Sequence, residues 1–144
     1  VRSFKEVSKN KKIKAILGVG DLGTLRNVAK ASVVCMMAGA DFIKTSTGKE
    51  NTNANLNNSL VMLRMIREFY EVTKKKIGFK PAGGISSAKS VIEFLILVME
   101  ELGNAWIDPK LLRIGASSLL IDIERQLYHY TSGRYANKEK LALG

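Results

Sequence analysis

The sequence predicts an α/β fold of parallel strands, built as four successive βα units in one domain over residues 1–144. Short runs rich in β-branched and aromatic residues alternate with longer stretches whose apolar residues recur every three or four positions. Glycines close those longer stretches at Gly39, Gly103 and Gly133, as helix stops do. A chain of 144 residues that is 46% apolar can bury one compact core and has little room for a second.

The first strand is expected at 12–17, and the helix after it carries Leu25, Val28, Ala29, Ser32, Val33 and Met36 on one face before Gly39. The second strand, 41–44, leads through a loop rich in Thr and Asn to a helix with the stripe Leu60, Leu63, Ile66, Phe69 and Tyr70. The third strand is 77–80. Pro81 blocks its continuation, and Gly83-Gly84 turns the chain into a helix opened by Ser86 or Ser87 and ended by Gly103. A linker with Trp106 and Pro109 precedes a fourth strand at 112–115 and a helix from Ser117 through Tyr130 that stops at Gly133. The polar tail, 134–144, is expected to fray.

Parallel βα units build open sheets or (β/α)8 barrels, and a complete TIM barrel takes about 250 residues. Four units are half of one. A half left alone would expose two sheet edges and the side chains that should fill the barrel interior. A completing segment is therefore expected, on the same polypeptide or on another chain, and the initial Val fits a fragment or a processed chain.

No run approaches the roughly 18 apolar residues of a membrane span, and the lysine-rich start lacks a signal-peptide core, so a soluble, cytoplasmic protein is expected. One cysteine, Cys35, and one histidine, His129, cannot form an internal disulfide or a nitrogen-and-sulfur metal cage, so no metal is expected. The net charge of +10 attracts anions: phosphorylated metabolites, nucleic acid or acidic partners. The few aromatics sit mostly at core-facing positions and no recognition motif accompanies the charge, which disfavours nucleic acid.

In parallel α/β folds the chemistry lies at the carboxyl ends of strands. Two strands here end in lysine, Lys44 and Lys80. Neighbouring parallel strands lie about 4.8 Å apart, so equivalent strand ends can bring two ammonium groups within roughly 6 Å. At an effective dielectric constant near 20 their repulsion is about 3 kcal/mol, or about two pKa units, enough with partial burial to make one a neutral, nucleophilic amine. Spacing alone leaves open that both pair with carboxylates or snorkel to the rim. The other strand ends offer a phosphate cradle: Thr45, Ser46, Thr47 and Gly48 with Lys49, the Gly83-Gly84 turn, and Ser117 and Ser118 after Gly115, at a helix amino terminus.

Three motifs carry a resemblance: Asp41-Phe42-Ile43-Lys44-Thr45-Ser46-Thr47-Gly48-Lys49, Gly78-Phe79-Lys80-Pro81-Ala82-Gly83-Gly84, and Arg113-Ile114-Gly115-Ala116-Ser117-Ser118-Leu119-Leu120. Together they strongly resemble the deoxyribose-phosphate aldolases, and the likeness spans most of the chain as the second half (strands five to eight) of that family's barrel. The resemblance implies a class I aldolase that reversibly cleaves 2-deoxy-D-ribose 5-phosphate to D-glyceraldehyde 3-phosphate and acetaldehyde. It implies no cofactor, only a covalent Schiff base on Lys44 whose pKa is perturbed by Lys80. It assigns phosphate contacts to Gly83, Gly84, Ser117 and Ser118, gives Thr45, Thr47, Gly48, Lys49 and Gly115 places in the same substrate site, and implies a homo-oligomer.

Three departures from the family follow. Its proton-relay aspartate belongs to the half this chain lacks, so the chain alone is expected to be inactive or severely impaired. Ser86 stands where many members carry an arginine, and the carboxy-terminal tyrosine of some members has no counterpart in Leu141-Ala142-Leu143-Gly144. The rival on pattern is Gly18-Val19-Gly20-Asp21-Leu22-Gly23, a G-x-G-x-x-G fingerprint for a dinucleotide- or phosphate-binding domain without covalent chemistry. The acidic residue that should follow, Asp41, falls at the start of its strand and not at the end.

Overall fold

The structure, a computed structural model, describes residues 1–137, 139 and 141; much of the expected polar tail at 134–144 lies outside the described residues. Strands β1 (Lys14–Ile16), β2 (Phe42–Lys44) and β3 (Gly78–Lys80) form a parallel sheet in chain order. Helices α2 (Leu25–Met37), α3 (Leu56–Thr73) and α4 (Ala88–Leu102) follow them in turn, and α5 (Leu119–Ser132) closes the described fold. A short helix the sequence reading did not anticipate, α1 (Arg2–Ser8), precedes β1, and a single 3₁₀ turn spans Asn104–Trp106.

The expected fourth strand at 112–115 is a correction: it exists only as two isolated parallel bridges, Phe79 with Leu112 and Ala82 with Gly115. The cause is Pro81. Phe79 N–H donates to Leu111 O at 2.7 Å, Arg113 N–H to Phe79 O at 3.1 Å, and Gly115 N–H to Pro81 O at 2.8 Å. The next bond of a parallel ladder would come from residue 81, and proline has no N–H to give. The segment runs beside β3 with one rung missing.

Register fixes the two faces of the sheet. Lys14, Phe42 and Gly78 are aligned, then Ala15, Ile43 and Phe79, then Ile16, Lys44 and Lys80. Side chains alternate along a strand, so Ile43 and Phe79 point one way and both lysines the other. Ile43 and Phe79 are fully buried in a core with Val28 and Met36 of α2, Met62, Leu63 and Ile66 of α3, and Val98 of α4. The amphipathic stripes of those helices are therefore what cover this face. Trp106 closes the core edge, its Nε1 donating to Ile77 O at 2.9 Å and its ring meeting Tyr70 edge-on at 5.1 Å between centroids.

On the opposite face Phe42 lies flat across the strand next to it. A Cβ at Gly78 would stand 2.3 Å from Phe42 Cε1, so only glycine leaves room for the buried ring. The ammonium groups of Lys12 and Lys14 sit 5.8 and 5.7 Å from the ring centroid, within cation–π reach.

Asp41 ties α1 to the amino end of the sheet. Its Oδ2 accepts from Lys5 Nζ at 2.6 Å and from Ile13 N–H at 2.9 Å. Burial pushes this carboxyl upward, but the bonds from Lys5 and Ile13 and the charges of Lys5 and Lys75 outweigh it and hold it below the usual carboxylate range.

Among the described residues no helix is long and apolar enough to cross a membrane.

Two stability tests follow. Gly78→Ala forces the Phe42 ring out of place and should lower stability by about 1–3 kcal/mol in urea unfolding. Asp41→Ala strands the Ile13 N–H and loses a partly exposed ion pair, about 1–2 kcal/mol at neutral pH. Because the folded carboxyl titrates below its unfolded value, that difference is full well above pH 4 and should shrink in melts at about pH 3.

Candidate active site

The carboxyl ends of β2 and β3 place Lys44 and Lys80 as register partners on the same face. Burial first, then the charges of Lys44, Lys14 and Arg113, hold the Lys80 ammonium below the usual lysine range. Among the described residues no carboxylate forms an ion pair with either lysine. The two lysines thus end neighbouring strands side by side, and among the described residues neither is paired with a carboxylate.

Beside Lys44 opens a cleft of about 470 Å³. Of the residues proposed from the sequence, Lys44, Thr47, Gly48, Lys49, Gly83, Gly84, Gly115, Ser117 and Ser118 all line it. Lys80 and Thr45 do not. Lys80 stands one strand over, and Thr45 is fully buried with its hydroxyl committed: Oγ1 donates to Ala82 O at 3.1 Å and accepts the Ala82 N–H at 3.0 Å. Ser46 Oγ is also turned inward, 2.8 Å from Ala82 O, so these two side chains shape the loop after β3.

The backbone explains the glycine turn. Gly83 has φ +90°, and a Cβ there would stand 2.6 Å from Asn53, so the turn closes against the loop after β2 only without a side chain. Its N–H donates to Gly115 O at 3.3 Å, joining two walls of the cleft.

The two helices that begin at the cleft differ in what their amino termini already hold. At α4, Ser87 accepts from Ser90 N–H in a capping box, and Ala88 N–H donates to Asp122 Oδ2 at 2.7 Å. At α5 the N-cap Ser118 makes no side-chain capping bond. The uncapped amino terminus of a 14-residue helix, with its dipole and free N–H groups, therefore faces the cleft wall where Ser117 and Ser118 stand.

Sequence reasoning missed Glu50. Its Oε1 accepts from Thr47 N–H at 2.9 Å and from Thr47 Oγ1 at 3.0 Å, so the loop's own carboxylate occupies two donors that were assigned to a ligand. The Thr47-x-x-Glu50 spacing is the capping-box pattern and could have signalled it. Ser86, read from the sequence as a possible helix cap and as a departure from the family, also lines the cleft, and the cap of α4 is Ser87.

The glycine-rich loop at 18–23 packs against the loop after β2. A Cβ on Gly20 would meet Thr52 O at 3.0 Å, so the chain's own loop fills the space beside the central glycine, and α2 is capped by Thr24.

Comparison with known proteins agrees with this geometry. The model of the DeoC/LacD family aldolases matches residues 4–123. Human deoxyribose-phosphate aldolase is 59% identical over 136 residues, which cover 94% of this chain and 43% of the human protein, and the bovine enzyme is 57% identical over the same shares. Among solved structures, the apo form of a candidate deoxyribose-phosphate aldolase from Toxoplasma gondii superposes with a TM-score of 0.79 at 28% identity, over 90% of this chain and 50% of that one. QR15, described as an aldolase, gives 0.59 at 25% identity over 91% and 51%. The chain spans less than half the length of the curated relatives it matches. The family match nevertheless takes in most of its 144 residues, and on that extent the chain belongs to the DeoC/LacD family aldolases.

Proposed function

We propose that this chain supplies the lysine-bearing half of a (β/α)8-barrel deoxyribose-phosphate aldolase, which cleaves 2-deoxy-D-ribose 5-phosphate reversibly to D-glyceraldehyde 3-phosphate and acetaldehyde. The observation that carries the reading is the register pairing of Lys44 with Lys80, beside a cleft walled by the uncapped amino terminus of α5.

In this scheme the phosphate is held by the α5 amino terminus with Gly83, Gly84, Ser117 and Ser118, and Lys49 adds a point charge. That leaves the aldehyde end toward Lys44. The Lys44 amine adds to C1 of the open-chain sugar and water leaves, giving an iminium. The C3 hydroxyl gives up its proton, the C2–C3 bond breaks, and its electron pair flows to the iminium nitrogen. Glyceraldehyde 3-phosphate departs, and the enamine left on Lys44 is protonated at C2 and hydrolysed to acetaldehyde. The electron sink is the iminium itself, and the chemistry calls for no cofactor.

Lys80 prepares the nucleophile. Burial and the charges of Lys44, Lys14 and Arg113 hold its ammonium below the usual lysine range, which makes Lys80 the group placed to exchange a proton with Lys44. The proton acceptor for the C3 hydroxyl is assigned to the segment that completes the barrel. That segment also covers the face bearing Phe42 and the two lysines, and the assembled barrel acts in the cytoplasm, where its phosphorylated substrate is retained, as a homo-oligomer.

Two experiments test the reading. The protein with a complete barrel, incubated with acetaldehyde and borohydride, should carry a reduced two-carbon adduct on Lys44 by peptide mass spectrometry; labelling elsewhere, or none, sinks the Schiff-base assignment. In Lys80→Leu, kcat should fall at least about 100-fold at neutral pH, and the pH–rate profile should change, because the amine that exchanges a proton with Lys44 is gone. A profile left in place would assign Lys80 no part in preparing the amine.

A further inference from the structure

Arg125 lies on α5, seven residues and about two turns beyond Ser118, which puts the two on one helix face. Side chains on a helix lean toward its amino terminus, here toward the cleft. The Arg125 Nε is buried and has no hydrogen-bond partner. Among the described residues its guanidinium forms no ion pair. On one side it rests near the Tyr135 ring, 5.7 Å from guanidinium carbon to centroid. With Ser86, Ser118, Ile121 and Asp122 it lines a cavity of about 240 Å³, and Ser86 and Ser118 wall the main cleft as well. The two spaces therefore adjoin at Ser86 and Ser118.

A buried N–H donor on a cationic group, left without an acceptor, is costly, and an anion in the adjoining space would satisfy it. Asp122 is not that anion: its Oδ2 is bound to Ala88 N–H, at the start of α4. Its charge would repel a phosphate at the neighbouring helix start unless a cation stood close, and Arg125, one turn on, is the residue placed to offset it.

We propose that Arg125 is a specificity-determining residue of the phosphate cleft. Its guanidinium reaches past Ser86 and Ser118 to donate charge-assisted hydrogen bonds to the outer oxygens of the substrate's phosphate. The assignment rests on the phosphate reading of the cleft given above.

The test uses the protein with a complete barrel and compares kcat/KM for 2-deoxyribose 5-phosphate with kcat/KM for unphosphorylated 2-deoxyribose, together with inhibition by inorganic phosphate. In Arg125→Gln the ratio of the two should fall about 10- to 100-fold and phosphate should inhibit correspondingly less, the worth of one charged hydrogen bond. Adding Ser86→Arg to that variant places a guanidinium in the same shared boundary and should restore part of the ratio. Arg125→Lys keeps the charge without the planar fork and should fall between; it carries the test alone if the glutamine variant does not fold. An unchanged ratio with unchanged phosphate inhibition overturns the role of Arg125, while a wild-type preference for the phosphorylated sugar leaves the cleft's reading intact. A wild type with neither preference nor phosphate inhibition overturns both.

Discussion

The parallel register between β2 and β3 is the constraint on which the rest depends. With Phe42 opposite Gly78, one side of the sheet accepts a large ring where the other strand has no side chain at all. With Ile43 opposite Phe79, the reverse side offers the continuous apolar surface that α2, α3 and α4 need. Alternation then leaves no choice for the next position: two lysines end side by side on the face turned from the helices. A slip of β3 by one residue would send the Lys80 ammonium into the apolar core and Phe79 out of it, so packing energy selects the arrangement that sets the two lysines side by side.

Much of this was legible in the sequence, because it follows from periodicities. The three strands, the helices they alternate with and the lysine-ended strands are all local patterns, and the stops at Gly103 and Gly133 fall where the helices end. The fourth strand was overread because a proline on its neighbour, and not anything in residues 112–115, removes the rung it needed. The short helix α1 was missed because its stability comes from across the fold, through Lys5 and Asp41 at 36 residues' separation, and its own sequence buries nothing.

The candidate site divides in the same way. Lining residues that lie at strand ends or on glycine turns were found, since topology alone brings those positions together. What the sequence could not tell was which polar groups remain free. Thr45 and Thr47 look alike along the chain, yet the first is spent on Ala82 and the second on Glu50, while Ser118, indistinguishable from an ordinary cap, makes no capping bond. Hydrogen-bond satisfaction is a three-dimensional tally of donors and acceptors, and it separates a residue that builds a site from one that can serve a ligand.

The missing rung at Pro81 has one more effect. With one ladder bond lost there, the segment after β3 is also held from β2's side: the Ala82 carbonyl receives Thr45 Oγ1, Ser46 Oγ and Ala54 N–H, and the Ala82 N–H returns to Thr45. Thr45 is the residue directly after Lys44, and Ala82 directly precedes Gly83. The interval between Lys44 and the glycine turn is therefore set by two adjacent residue pairs and a double hydrogen bond. Such a short, stiff span works as a gauge block: it fixes the separation of Lys44 and the Gly83-Gly84 turn to within the play of two hydrogen bonds.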